Sequence, residues 1–129
     1  MKKKVKVVAA IIENSDNEIL CALRSPKMVI PNCWEFPGGK VEDGESLYEA
    51  IEREIREELD CSVKALDIFN NTTYEYDSFI INLTCMKCNL IEGTPVATEH
   101  SKIIWLKREN LDSLKWAPAD VEAVKALID

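Results

Sequence analysis

Three glutamates of one predicted helix have the spacing that brings carboxylates onto a shared face. Segment 46–59 contains no glycine or proline and begins with a capping box, so it predicts a helix. Within it, Glu54, Glu57 and Glu58 follow i, i+3, i+4 spacing on a wheel of about 100° per residue. That face overlaps the apolar side of the helix, where like charges repel one another and lose hydration. Oxygen ligands at this density suit Mg²⁺, with Mn²⁺ as a possible substitute, rather than zinc.

The rest of the wheel divides into a core side and an outer side. The residues expected to face the core are Leu47, Ala50, Ile51 and Ile55. Those expected on a solvated face are Glu45, Glu49, Glu52 and Arg56. Arg53 lies one turn before Glu57, and we expect it to pair with that carboxylate and orient it. A charge-rich helix whose glutamates are merely solvated is the alternative interpretation of the helix alone.

The segment before the helix can hold phosphate. Pro31 to Gly44 contains two prolines and three of the four glycines, so it is expected to be a loop. Gly38 and Gly39 allow backbone to approach a ligand or to offer a carbonyl to a metal. Lys40 adds a cation for phosphate, although two adjacent glycines often form only a turn.

Together these residues resemble a known family signature. From Gly39 the chain reads Gly-x5-Glu-x7-Arg-Glu-Ile-x-Glu-Glu, which is similar to the Nudix box. The run Trp-Glu-Phe-Pro-Gly-Gly-Lys at 34–40 and the run Ala-Pro-Ala-Asp at 117–120 resemble the MutT-like branch. The box departs from the family pattern where Asp60 replaces the expected glycine and Cys61 the expected hydrophobe. Aspartate tolerates the left-handed conformation of a helix cap better than most residues, so we expect little effect on chemistry.

The resemblance implies a metal site and a reaction. Glu54, Glu57 and Glu58, with the carbonyl of Gly39, are expected to hold one or more Mg²⁺ ions that bridge phosphates and activate water. In MutT-like members, attack at the β-phosphorus gives a nucleoside monophosphate and pyrophosphate. Glu54 is the expected general base, and Arg53 and Glu57 complete the catalytic set.

Further residues are assigned by the same resemblance. Glu99 is expected to be another metal ligand, with a plain loop carboxylate as the alternative. Glu45 is expected to be structural, because the wheel places it away from the other carboxylates. Arg24 resembles a substrate-contacting arginine, whose fork suits phosphate, and Lys40 and Asp120 complete the expected substrate contacts.

Asp120 gives a hypothesis about the base. An ionised aspartate only accepts hydrogen bonds, so it favours a base edge that donates, such as the cytosine amine. A residue that binds the O6 of oxidised guanine should donate instead. The hypothesis is therefore a cytosine nucleotide ahead of 8-oxo-dGTP. The alternative role for Asp120 is to complement the dipole of the helix that it begins.

Other functions compete with this one. Within the family, the substrate could be ADP-ribose, a dinucleoside polyphosphate or a nucleotide sugar. From another class, a nucleotide-sensing module would bind without turnover, but such a module is expected to lose a metal carboxylate. A zinc or redox protein using Cys85 and Cys88 is disfavoured, because residues three apart on a strand point to opposite faces.

The surrounding elements predict an α/β fold, a sandwich with a mixed sheet. The resemblance implies the Nudix-type α/β/α sandwich, in which the mixed sheet lies between helices. Segment 5–12 is an apolar, β-branched run, the pattern of a strand buried on both faces. The remaining predicted strands are 18–23, 63–69, 73–76, 79–90 and 102–106. A second helix is expected over 118–128, with Pro118 in its first turn.

Composition sets the remaining expectations. The chain has 129 residues, and we expect one domain over 1–129. Its net charge of −7 disfavours nucleic-acid polymers and anionic membranes as partners, and an anionic small molecule could bind if a cation screened it. The resemblance implies that this small molecule is a nucleotide. The odd number of cysteines, five, predicts reduced thiols. The apolar N-terminal run lacks a cleavage site, so we expect a cytoplasmic protein. We expect it to be either a monomer or a homodimer.

Overall fold

The structure is a computed structural model that describes residues 1–129. Its strands are β1 Lys3–Ile12, β2 Glu18–Leu23, β3 Trp34–Glu35, β4 Gly38–Lys40, β5 Ser62–Glu75, β6 Phe79–Glu92 and β7 Lys102–Lys107. Its α-helices are α1 Leu47–Leu59 and α2 Val121–Ile128. Two short 3₁₀ helices, Arg108–Ser113 and Pro118–Asp120, precede α2.

The strands form two sheets. The larger has the order β4-β1-β6-β5, in which β1 runs parallel to β6 and the other pairs are antiparallel. The smaller has the order β3-β2-β7 and is antiparallel. In the larger sheet Val8 lies opposite both Gly39 and Thr84, so β1 places the glycine turn beside the centre of the sheet.

Alternating residues of β1 face two hydrophobic cores. Val8 and Ala10 belong to the core that packs against α1, whereas Ala9 and Ile11 belong to the core that packs against α2. All four are almost completely buried. The predicted double burial of this strand and the sandwich of a mixed sheet between helices are therefore confirmed.

Helix α1 begins and ends as its sequence predicts. Ser46 and Glu49 form both hydrogen bonds of the capping box, and Asp60 closes the helix in the left-handed conformation with φ 52°. The prediction of a solvated outer face is right for Glu49 and Arg56 and wrong for two residues. Glu45 turns inward to pair with Arg53, and Glu52 accepts a hydrogen bond from the amide of Ala65 at 3.1 Å.

Three differences from the predicted elements have physical causes. The two strands expected at 63–69 and 73–76 are one strand, β5, because β-bulges after Ala65 and Ile68 absorb its irregular pattern without ending its pairing with β6. The expected loop before α1 contains β3 and β4, which are too short to show alternation. A second sheet, instead of one, follows from the pairing of β2 with β3 and β7.

The five cysteines are buried and unpaired. Cys85 lies in the core beneath α2 and Cys88 in the core beneath α1, which confirms that the two thiols face opposite sides of β6. Burial raises the pKa of Cys88 to about 12, so this thiol stays protonated. No helix of the protein combines the length and the apolar character that crossing a bilayer demands.

Candidate active site

A cleft of about 530 Å³ opens between the larger sheet and the loops at its edge. On one side, Gly39, Lys40 and Glu58 line it; we call this the carboxylate region, together with the adjoining Glu54 and Glu57. On another side, Arg24, Phe36 and Asp120 line it; we call this the Asp120 region. Apolar residues of β1 and β6 form the floor, namely Val5, Val7, Phe79, Ile81 and Leu83. A cleft with apolar walls and a few polar groups suits a small ligand.

Arg53 organises the carboxylate region. Its Nε and Nη2 donate to the two oxygens of Glu45 at 2.6 and 2.9 Å, and Nη1 donates to Glu54 at 2.9 Å and Glu57 at 3.0 Å. Nη2 also donates to the carbonyl of Lys40 at 3.0 Å. All five N–H groups of the guanidinium are therefore used. The predicted pairing of Arg53 with Glu57 is confirmed, and the same side chain fixes the loop before the helix.

Both glycines of the turn are required by close packing. A Cβ on Gly39 would lie 2.3 Å from Oε1 of Glu54, so only glycine lets this carboxylate rest on the turn. A Cβ on Gly38 would lie 1.9 Å from the carbonyl oxygen of Val8 on β1. The absence of side chains here brings helix, turn and sheet together.

Burial and mutual repulsion make the carboxylate region electrostatically unfavourable. Burial raises the pKa of Glu58 to about 8, with further increases from the charges of Glu54, Glu35 and Glu99. Burial also raises the pKa of Glu54, although Arg53 opposes that change. Thus Glu54, Glu58 and Glu99 are close enough to repel one another, and the charge of Glu57 also raises the pKa of Glu54.

The residues present fit a divalent cation. Oε1 of Glu58 is buried and has no hydrogen-bond partner in the protein, so it has a lone pair that a cation can satisfy. The donors are all oxygen, which suits a hard ion. The acidic side chains do not form a preformed cluster of three metal-ligating groups, since Glu57 is exposed and held by Arg53 and Glu99 is exposed on its loop.

Asp120 lies in the other region, buried and without a role in capping the helix. Its side chain makes no capping bond to α2, and Oδ2 accepts from the amide of Phe36 at 3.0 Å. The dipole interpretation needs no capping bond and stays an alternative, since Asp120 lies at the start of α2. Burial raises its pKa well above the usual value, and the charge of Glu35 raises it further. Both causes favour the neutral carboxyl, which can donate as well as accept, so the prediction of an acceptor-only Asp120 applies to its ionised form.

Arg24 lines the cleft but directs its guanidinium into the protein. Nη1 donates to Oε1 of Glu35 at 2.7 Å, and Nε donates to the carbonyls of Val29 and Ile30 at 3.0 and 2.9 Å. Nη2 also donates to Val29. Arg24 thus supports the loop 25–32 that walls the cleft, rather than presenting an open fork to phosphate. Ile30 has φ 56°, a left-handed conformation that costs about 1–3 kcal/mol for such a residue.

Several site residues were not identified from sequence. Glu35 binds Arg24 through one oxygen and the buried His100 through the other, at 2.8 Å. Lys3 and Tyr76 line the cleft with the predicted Lys40, and the Tyr76 hydroxyl accepts from the amide of Ala119 at 3.3 Å. The position of Glu35 within the run at 34–40 was the available signal, but its partners lie far away along the chain.

Comparison with known proteins identifies similar chains. A family model described as NUDIX domain matches residues 3–127. The CTP pyrophosphohydrolase of Escherichia coli K12 is 36% identical over 126 residues, covering 98% of this chain and 93% of that protein. The 8-oxo-dGTP diphosphatase of the same organism is 30% identical over 125 residues, covering 97% of each.

A solved structure agrees with the sequence comparison. The solution NMR structure of a MutT protein of the Nudix hydrolase family, from methicillin-resistant Staphylococcus aureus 252, is 52% identical with a TM-score of 0.80. The match covers 99% of this chain and 98% of that one. Likeness in sequence and in fold thus extends over nearly the whole chain.

Proposed function

We propose that this chain, which belongs to the NUDIX domain family and is a MutT-like hydrolase of phosphoric anhydride bonds, converts a nucleoside triphosphate into the monophosphate and pyrophosphate. The observation that carries the proposal is the position of the repelling carboxylates beside the cleft. They border a space of about 530 Å³ whose remaining walls are mostly apolar. A polyphosphate needs carboxylates that can hold a cation, and a nucleoside needs a cleft with apolar walls.

Hydrolases of this family generally need a divalent cation, and we propose Mg²⁺, with Mn²⁺ as a possible substitute. Glu54, Glu57, Glu58 and the Gly39 carbonyl would hold it, with Glu99 as a further ligand. The buried, unpartnered oxygen of Glu58 supports this assignment. When bound, the cation supplies charge neutralisation for phosphate and a lowered pKa for a bound water.

The protein's own groups have separate roles. Arg53 is a positioning residue, because its five bonds fix Glu54 and Glu57 relative to the glycine turn. Glu54 is the proposed general base that takes the proton of the attacking water. Burial raises its pKa, which brings it nearer the range where proton transfer is efficient. Lys40 lines the cleft and is exposed, so its ammonium group is available to phosphate.

The Asp120 region would hold the base. Asp120 uses one oxygen on the amide of Phe36, which leaves its other oxygen for a ligand in the cleft. We propose a cytosine (d)NTP as the preferred substrate and 8-oxo-dGTP as the second. The similarity to a CTP pyrophosphohydrolase, with 36% identity, supports this order. Because the carboxyl of Asp120 donates when protonated, the preference for cytosine should strengthen as it ionises.

Product analysis tests the proposal. The protein is incubated with Mg²⁺ and canonical, methylated and oxidised nucleoside triphosphates, with ADP-ribose alongside, and the products are separated by chromatography. We expect monophosphate and pyrophosphate from the triphosphates, most rapidly from cytosine nucleotides. A Glu57→Gln variant, in which one proposed ligand loses its charge, controls for contaminating phosphatases.

The outcomes separate the competing functions. Turnover of ADP-ribose alone would be consistent with the family and with the proposed cation site, but it would reject the triphosphate substrate. Binding of a triphosphate without turnover would favour a nucleotide-sensing module. Equal product from the Glu57→Gln variant would show that the activity belongs to a contaminant.

A further inference from the structure

His100 is a buried histidine that the proposed chemistry does not use. Its side chain is 1% exposed, it does not line the cleft, and its one hydrogen bond joins Nε2 to Oε2 of Glu35 at 2.8 Å. Nδ1 is buried without a partner. A carboxylate that already accepts from Arg24 can only accept here too, so Nε2 carries the proton. The whole polar function of this ring is therefore its bond to Glu35.

We propose that His100 and Glu35 form a positioning pair that ties segment 96–100, which carries Glu99, to loop 25–32, which walls the cleft. His100 acts on the substrate through these two segments and not by contact with it, whereas Glu35 itself lines the cleft. Its kinetic part rests on the proposed function, whereas its structural part does not.

Segment 96–100 is held at two points, with Glu99 between them. At the first point, the amide of Val96 donates to the carbonyl of Leu59 at 2.8 Å, and Oγ1 of Thr98 donates to the carbonyl of Glu58 at 2.6 Å. These bonds satisfy carbonyls that the end of α1 would otherwise leave unpaired. At the second point, His100 binds Glu35 on β3. Without the second bond, Glu99 would be restrained by the first point and by the amide of Ser101, which donates to the carbonyl of Leu23 at 2.9 Å just beyond the segment.

Loop 25–32 depends on the other oxygen of the Glu35 carboxylate. Glu35 holds Nη1 of Arg24, and Arg24 binds the carbonyls of Val29 and Ile30. The left-handed backbone of Ile30 persists only while its surroundings hold it. Glu35 also raises the pKa of both Glu58 and Asp120, which places it between the two regions of the cleft. One histidine bond thus bears on both.

Three variants test the pair. His100→Leu replaces the ring by an apolar side chain of similar size and removes the Nε2–H donor. His100→Gln keeps an N–H donor near the position of Nε2. Thr84→Val is the matched control, because Thr84 is 2% exposed and hydrogen-bonded to Asn71, yet lies on the α1 side of the sheet and outside the cleft.

The first readout is amide hydrogen exchange in the free protein. We expect faster exchange in both segment 96–100 and loop 25–32 for His100→Leu, and near wild-type exchange in both for His100→Gln. Thr84→Val should leave both unchanged. If His100→Leu does not fold, Glu35→Gln weakens the same bond from the other side and should produce the same paired increase. Faster exchange near residue 100 alone, or none, would overturn the proposal.

The second readout is steady-state kinetics with a cytosine triphosphate. His100→Leu should raise KM about tenfold, which corresponds to about 1.4 kcal/mol. His100→Gln should restore KM to within about threefold of wild type, and Thr84→Val should leave KM unchanged even though it lowers stability. An equal KM in His100→Leu and wild type would contradict the pair. If the wild-type protein hydrolyses no triphosphate, the proposed function fails while the exchange result still decides the pair.

Discussion

The two regions of the cleft are built around one arginine each, but from different parts of the chain. In the carboxylate region, Arg53 binds four partners that lie between residues 40 and 57. In the Asp120 region, Arg24 binds its own loop and Glu35, and Glu35 reaches His100, which is 65 residues away. The carboxylate region is thus formed by contacts that are local in sequence, within one turn and one helix, and the Asp120 region depends on the tertiary fold.

We infer from this difference that the carboxylate region serves the chemical step and that the Asp120 region determines substrate selectivity. A local motif keeps its geometry as long as the turn and the helix form, so it suits carboxylates whose spacing must not change. A region assembled from β2, β3, segment 96–100 and the end of the chain can change its shape by a substitution in any of them. We therefore expect substitutions in the carboxylate region to change kcat, and those in the Asp120 region to change KM and base preference.

The largest effect is expected at Arg53. Arg53→Lys keeps the charge but loses the planar fork that binds Glu45 by two atoms while also holding Glu54 and Glu57. We expect kcat to fall about 100-fold or more, because small displacements of reacting groups have effects of that size. Arg56→Lys, on the exposed side of the same helix, is the matched control. A kcat within about threefold of wild type in Arg53→Lys would show that the network is dispensable.

The raised pKa of Glu58 should make the stability of the metal-free protein depend on pH. Its folded-state pKa of about 8 exceeds the usual value of 4.5, so the folded state binds more protons between these two values. The free energy of unfolding should therefore fall as pH rises from 5 to 8, on the order of 2 kcal/mol from this group. Glu58→Gln should remove that part of the slope.

Urea titrations at several pH values measure the Glu58 effect. Glu122→Gln, an exposed change in the first turn of α2, is the control and should keep the wild-type slope. Mg²⁺ should restore stability at pH 8 in the wild-type protein more than in Glu58→Gln. Identical slopes in wild type and Glu58→Gln would mean that the carboxyl is not destabilised by its surroundings.

A smaller effect is expected from Asp120→Asn. An amide always has a donor, whereas the carboxyl has one only when protonated. We expect the ratio of kcat/KM for CTP over 8-oxo-dGTP to shift about tenfold toward 8-oxo-dGTP. Asp112→Asn, exposed and outside the cleft, should leave the ratio unchanged. An unchanged ratio in Asp120→Asn would remove this residue from base selection.

The smallest effect is expected at the helix cap. Asp60 adopts a left-handed conformation that glycine occupies without steric cost. Asp60→Gly should raise the free energy of unfolding by less than about 1 kcal/mol and leave kcat unchanged, as urea titration and product assays can measure. Loss of stability would show that the aspartate side chain itself supports the cap.

The contrast between the regions also explains what could be predicted from sequence. The grouping of Glu54 with Glu58, the pairing of Arg53 with Glu57 and the cap at Asp60 follow from helical spacing, which is a local property. The bond of Arg24 to Glu35 could not be predicted, because it depends on the pairing of β2 with β3, and the bond of Glu35 to His100 joins residues that are 65 apart in the chain. The inward turn of Glu45 was also missed, since a helix wheel does not include the loop that carries it.

The fold shows the same limit. The nearly continuous apolar run of β1 predicts its burial on both faces, because apolar residues on both sides of a strand need a core on each side. The short β3 and β4 were missed, since two or three residues carry no period and their pairing is set by β1, β2 and the segment near Trp116. The bulges of β5 disrupt its alternation, so one strand resembles two in the sequence.

Hydrolysis of CTP in ¹⁸O-labelled water with Mg²⁺ tests the central claim most directly. We expect CMP and pyrophosphate as the only products, with the label in pyrophosphate, because the proposed attack of water is at the β-phosphorus. Release of CDP and orthophosphate, or label in CMP, would contradict it.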